Sequence, residues 1–169
     1  DPRVSHALTL KVDDYGNVER SVAIGYRRRD VPDLHDPEQK ETHFTFTVSR
    51  FANRPNESDW YRVGLPVETC TFEIVKPPEP SISDGLVGLF AFADIVTLAE
   101  GLFPTNRIEP DSTKNWPYEK WDWRRNPANA PTETRLRLIE HVRTYYRPND
   151  MGESPNNDPT ALLPLGAIE

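Results

Sequence analysis

The side chains with which this chain could do metal or acid–base chemistry are four histidines, one cysteine and 27 acidic residues. His6, His35, His43 and His141 are scattered, and no two stand at the spacing that places a pair of imidazoles on one helix face, so local sequence predicts no metal centre. Cys70 is alone, which excludes an intrachain disulfide and a multi-cysteine zinc site. Flanked by Thr69 and Thr71 in a strand pattern, it is read as a small core residue rather than a reactive thiol. The run Asp13-Asp14-Tyr15-Gly16-Asn17 is rich in oxygen donors but lacks the alternating ligands and closing glutamate of a calcium loop, so Asp13, Gly16 and Asn17 are read as a structural turn. No G-x-S-x-G elbow, phosphate-cradling glycine loop or dinucleotide fingerprint occurs, and with so many carboxylates any close pair is first a solvated surface feature. No catalytic residue, metal ligand or cofactor is therefore expected, and an unrecognised hydrolase ranks third among the readings. The aromatic group Trp60, Tyr61, Trp116, Tyr118, Trp121 and Trp123 offers a sharper possibility, because exposed indoles stack on sugar rings. A β-sandwich carbohydrate-binding module using Trp116, Trp121 and Trp123 is the competing class. Packing is preferred for these three, since tryptophans in a proline-rich stretch commonly pin a loop onto a sheet.

These residues must be positioned by a chain of 169 residues, a length that fits one domain with a moderate core. An apolar fraction of 36%, 17 prolines and a mean hydropathy of -0.69 predict long irregular connections. A net charge of -7 with interspersed signs argues against nucleic acid as a partner. The basic run Arg27-Arg28-Arg29 is followed by Asp30 and Asp33 and is read as a solvated strand end. No apolar run approaches the roughly 20 residues of a membrane span, so direct membrane insertion is not expected, and Asp1-Pro2-Arg3 is not a signal peptide. The first strand pattern starts almost at once and residues 162–169 are still apolar, so both ends are read as cuts inside a longer polypeptide.

Period-two alternation predicts strands over 4–12 and 18–26, the first with His6, Leu8, Leu10 and Val12 on one face, the second with Val18, Arg20, Val22, Ile24 and Tyr26. The intervening turn makes them a hairpin. A third strand is predicted over 42–51, a loop over 52–59, and a fourth strand over 67–75 with Cys70, Phe72 and Ile74 on its apolar face, ended by the prolines of 76–80. Phe92, Ile95, Val96, Ala99 and Leu102 recur at helical spacing and predict one short helix near 91–102. Residues 135–147 fit either a helix or a strand, and the alternation of Leu136, Leu138, Val142, Thr144 and Tyr146 with charged residues favours the strand. The fold class is thus mainly β: antiparallel hairpins and sheet with long irregular loops and one short helix. Within one segment, 1–169, we distinguish an antiparallel β region at 1–76, a Pro/Trp-rich excursion at 77–131, and a C-terminal strand and loop at 132–169.

The turn has the form D-x-x-G-N between alternating strands, the core of the YD repeats of Rhs-type shell proteins. The longer string Asp1-Pro2-Arg3-Val4, Leu8-Thr9-Leu10, Val12-Asp13-Asp14-Tyr15-Gly16-Asn17-Val18 and Ser21-Val22-Ala23-Ile24-Gly25-Tyr26 closely resembles the middle/C-terminal region of the B component of insecticidal Tc (ABC) toxin complexes, the TcdB/TcaC type. Two further blocks resemble it in the same order: Tyr61-Arg62 with Leu65-Pro66-Val67-Glu68-Thr69 and Phe72-Glu73, then Arg137-Leu138-Ile139-Glu140-His141-Val142-Arg143-Thr144 with Tyr146-Arg147 and Leu162-Leu163-Pro164-Leu165-Gly166. The likeness spans nearly the whole chain and is faint over 77–131. It implies a non-catalytic segment lying between the propeller and the YD-repeat shell of a secreted toxin's B component. Its implied partners are the rest of that component, the C component and, indirectly, the pore-forming A component. The B and C components of that family form a hollow shell around a toxic effector. A segment taken from such a shell is expected to expose sheet edges able to pair with another copy.

Overall fold

The computed structural model describes residues 4–28, 37–56, 61–80, 88–103, 108 and 110–146. Five antiparallel strands form one sheet in the order of the chain: β1 (Ser5–Val12), β2 (Val18–Gly25), β3 (His43–Arg54), β4 (Arg62–Val75) and β5 (Arg135–Arg143). One helix, α1 (Phe92–Leu102), lies between β4 and β5, and short 3-10 turns occur at Pro37–Lys40, Ser112–Lys114 and Pro127–Asn129. No helix among the described residues is long and apolar enough to cross a membrane.

One face of the sheet carries the core. Val22 and Ile24 of β2, Phe44, Phe46 and Val48 of β3, Cys70, Phe72 and Ile74 of β4 and Leu136 of β5 are all buried together. Their every-second-residue spacing puts them on one side of the pleat, where aromatic and β-branched residues pack best. Helix α1 covers this face with Ile95, Ala99 and Leu102. Its N-cap residue, Ala91, makes no side-chain cap bond, so packing on the sheet rather than capping stabilises it. The residue after the helix, Phe103, stacks on Phe46 with centroids 4.5 Å apart and meets Phe72 edge-on at 5.4 Å. Arg20 lies on the same face, its guanidinium over the Phe103 ring, and is buried there with its charge on the aromatic face.

The elements differ from the expected ones at several places, among them β5, which ends at Arg143, and Val18, which is exposed. β3 and β4 run on through Arg54 and from Arg62, where a loop to residue 59 and a strand start at 67 were expected. Register shifts between Arg50 and Phe51 and between Ala52 and Arg54 absorb the irregularity, and Pro66 pairs with Phe51 at the first of them, so its missing N–H falls where the ladder is already interrupted. Val12 leaves the apolar row and is exposed, because the ladder shifts register between Thr9 and Lys11 and again before Val12. In β5 only Leu136 joins the core, while Leu138 and Val142 are exposed: the ladder shifts between Thr71 and Phe72, so that Val142 pairs with Thr69 rather than with a core residue. In α1, Phe92 faces solvent although its spacing placed it with Ile95.

Outside α1, the described part of the excursion is irregular. Asn115 forms a parallel bridge to Leu136, and the Trp116 N–H donates to the Leu136 carbonyl at 2.7 Å, so the excursion borders β5 at one end. Arg124 anchors it further, bonding Glu73 at 2.9 Å and Glu41 at 2.5 Å, while Arg137 grips the other Glu73 oxygen at 2.7 Å. Expectations on Trp60, His35, Asp30, Asp33 and residues 147–169 fall outside the described residues.

Candidate functional site

The tip of the first hairpin is held by one carboxylate. Asp13 Oδ1 accepts the backbone N–H of Tyr15 at 2.9 Å and of Asn17 at 2.8 Å, and its Oδ2 accepts the amides of Asn17 at 2.8 Å and Asn53 at 2.9 Å. Gly16 supplies the positive φ of 84° that the reversal needs, and its N–H donates to the Asp13 carbonyl at 3.1 Å. Asn53 then accepts the Gly64 N–H on its Oδ1 at 2.8 Å. Gly64 itself has φ of 72°, and a Cβ there would stand 2.8 Å from Asn17 Oδ1. Two hairpins, β1–β2 and β3–β4, are thereby joined through Asp13, Asn17, Asn53 and Gly64. Partial burial alone would raise the Asp13 pKa, but the Asn17 and Asn53 amides and two backbone N–H groups outweigh it and lower the carboxyl to about 2. Asp13, Gly16 and Asn17 were singled out by the sequence. Asn53 and Gly64 were missed, since nothing local ties them to a turn forty residues away.

The three candidate tryptophans do not share one setting. Trp116 and Trp123 are half-buried, with Lys120 at 4.9 Å over the first ring and Arg124 at 4.4 Å over the second. Trp121 is 63% exposed, as is Tyr118, over which Arg137 lies at 5.6 Å. Cations thus occupy a face of three of the four rings that a sugar would need. The described residues form one sheet with a helix on it, not the two facing sheets of the β-sandwich alternative.

A polar group lies across β4 and β5 and takes in Cys70 of the core. Glu68 pairs with Arg143 and Cys70 with His141 in the ladder, so all four side chains stand on one face. Glu68 is buried; its Oε1 lies 2.5 Å from His141 Nε2 and accepts the Arg143 Nε–H at 2.8 Å, while Arg50 approaches Oε2 at 3.8 Å. Burial alone would raise the Glu68 pKa, but hydrogen bonds from Arg143 and His141 and their charge lower it. Among the described residues, a carboxylate, a thiol and an imidazole come within 4.8 Å of one another in Glu68, Cys70 and His141, a group that could hold a metal ion. The sequence carried a signal for it, Glu-x-Cys on one strand face, but the third member is 71 positions away and only strand pairing brings it in.

Comparison with known families bears on the first of the pinned hairpins. Residues 1–65 match the insecticide toxin TcdB middle/C-terminal region. The match supports the Tc toxin B component read from the string around Asp13. No curated protein matches the chain. The whole Asp13, Asn17, Asn53 and Gly64 lock lies inside the TcdB-like stretch, which ends one residue after Gly64. Glu68, Cys70, Trp116, Trp121, Trp123 and His141 lie outside it, as do most of the second resembling block and all of the third, so the family match covers less than the likeness read over nearly the whole chain. The likeness to YD repeats rests on the turn residues alone.

Proposed function

We propose that this chain is a non-catalytic structural segment of a Tc-type toxin B component, helping to build the shell that encloses and delivers a toxic effector outside the producing cell. The match over residues 1–65 carries this reading. A shell wall needs long strands whose backbone groups are met by neighbouring strands. Edge strand β5 suits that role, presenting Leu138, Ile139 and Val142 exposed beside the stretch covered by Asn115 and Trp116. In this reading the partners are the rest of the B component, the C component that brings the effector, and the A component indirectly. Protease protection of the effector in the assembled B–C complex tests it. Ile139→Lys and Val142→Lys, both surface changes in the isolated chain, are expected to expose the effector to protease. Full protection in both variants, and in a Gly16→Val variant that breaks the turn, would remove the shell role.

A further inference from the structure

We propose that Glu68, Cys70 and His141 bind a single zinc ion that clips edge strand β5 to β4. This inference is independent of the toxin reading and rests on the strand ladder. Glu68 and Cys70 are two residues apart on one strand, and His141 is the direct cross-strand partner of Cys70, so the backbone presents three donors to one point with their ligand atoms within 4.8 Å. The donor set selects the metal. Thiolate, imidazole and carboxylate together suit zinc, whereas magnesium and calcium require oxygen throughout.

Zinc bonds of about 2.0 Å to oxygen and nitrogen and about 2.3 Å to sulfur put tetrahedral ligands roughly 3.3–3.7 Å apart. Glu68 and Cys70 are buried and His141 is exposed, so the imidazole is the member free to adjust and its side is the way in. That open side also leaves a fourth coordination position for water. The Arg143 guanidinium, already on Glu68 Oε1 at 2.8 Å, stays as the outer partner that orients the carboxylate. Proton loss offsets the added charge. Cys70 gives up its thiol proton, and the proton held between His141 Nε2 and Glu68 Oε1 is displaced, either to solvent or to Nδ1 of the same ring. Two protons leaving for each dipositive ion keep the charge of the site unchanged, and one leaving adds a single positive charge beside Arg50 and Arg143.

Calorimetric titration of the 169-residue chain with zinc chloride, repeated in two buffers of different ionisation enthalpy, tests the site. One ion per chain with release of one or two protons is expected, and cobalt(II) in place of zinc should give a thiolate-to-metal charge-transfer band. Loss of an outer-shell partner typically costs about 10–100-fold in affinity, so loss of a ligand in Cys70→Ser or His141→Ala should weaken binding by more than about 100-fold. The proton count and cobalt band are read on the unmodified chain and stand even where a variant fails to fold. No stoichiometric uptake, uptake without proton release, or a cobalt complex lacking the thiolate band overturns the proposal and leaves Glu68 the centre of an ion-pair network.

Discussion

Asn53 donates its side-chain amide to Asp13 Oδ2 at 2.9 Å across forty residues of chain, and the same Asn53 accepts the Gly64 N–H. One side chain thus holds the tip of the first hairpin and the return of the second. Removing Asp13 strands two backbone N–H groups and two amides, so Asp13→Ala is expected to cost about 2 kcal/mol, counting roughly half of the usual value per bond because the site is partly solvated. Asn53→Ala and the double variant complete a cycle in urea unfolding. A coupling of about 1 kcal/mol is expected, and strict additivity would mean that the two hairpins are energetically separate.

The depressed Asp13 carboxyl makes stability depend on acid. Its folded pKa of about 2 lies below the ordinary value of 3.8, so the unfolded chain takes up the proton first as pH falls. The contribution is fully present above about pH 5 and is lost as pH falls through about 4 towards 2. Asp13→Asn should be less stable at neutral pH and show a shallower loss between pH 4 and 2 in urea midpoints. Parallel curves for the two proteins would show that Asp13 is not the titrating group.

Gly64 faces two separate objections to a side chain. Alanine there adopts a left-handed backbone at about 1–2 kcal/mol, and its Cβ would meet Asn17 Oδ1 at 2.8 Å. Gly64→Ala should therefore destabilise by more than the backbone cost alone. In an Asn17→Gly background, which itself loses the amide bond to Asp13, the further cost of Gly64→Ala should fall to the backbone part, measured by thermal unfolding.

Trp121 and Trp123 should part company on truncation. Trp121 stands in solvent, so Trp121→Ala is expected within about 0.5 kcal/mol of the parent. Trp123, beneath the Arg124 guanidinium that bonds Glu41 and Glu73, should cost about 1–2 kcal/mol through loss of that stack and loosening of the anchor. A glycan array with the parent chain separates packing from recognition. Sugar binding abolished by Trp121→Ala would favour the carbohydrate reading.

Strands were legible where alternation was local. Val22, Ile24, Phe44, Phe46, Cys70, Phe72 and Ile74 all lie in the core, on the faces their spacing assigned. What failed depended on neighbours in space. Leu138 and Val142 alternate like core residues, but the shift between Thr71 and Phe72 pairs Val142 with Thr69, off the core face, and no pattern within β5 records a partner strand's register. The fourth strand was expected to start at Val67, whereas Pro66 already lies inside β4 at a shift in the ladder. The same limit hid Asn53, Gly64 and His141, each of which matters through a partner far along the chain.

The strand order has a consequence for synthesis. Each strand lies beside its predecessor in the chain, so β1 to β4 can zip together in sequence as they leave the ribosome, with short loops to close and nothing to thread. Only β5 must wait, arriving after some sixty residues that include the helix and the anchor of Arg124 on Glu73. The nascent ribbon therefore exposes the outer side of β4 until β5 is made, an interval in which an aggregation-prone edge is open and a chaperone has most to do.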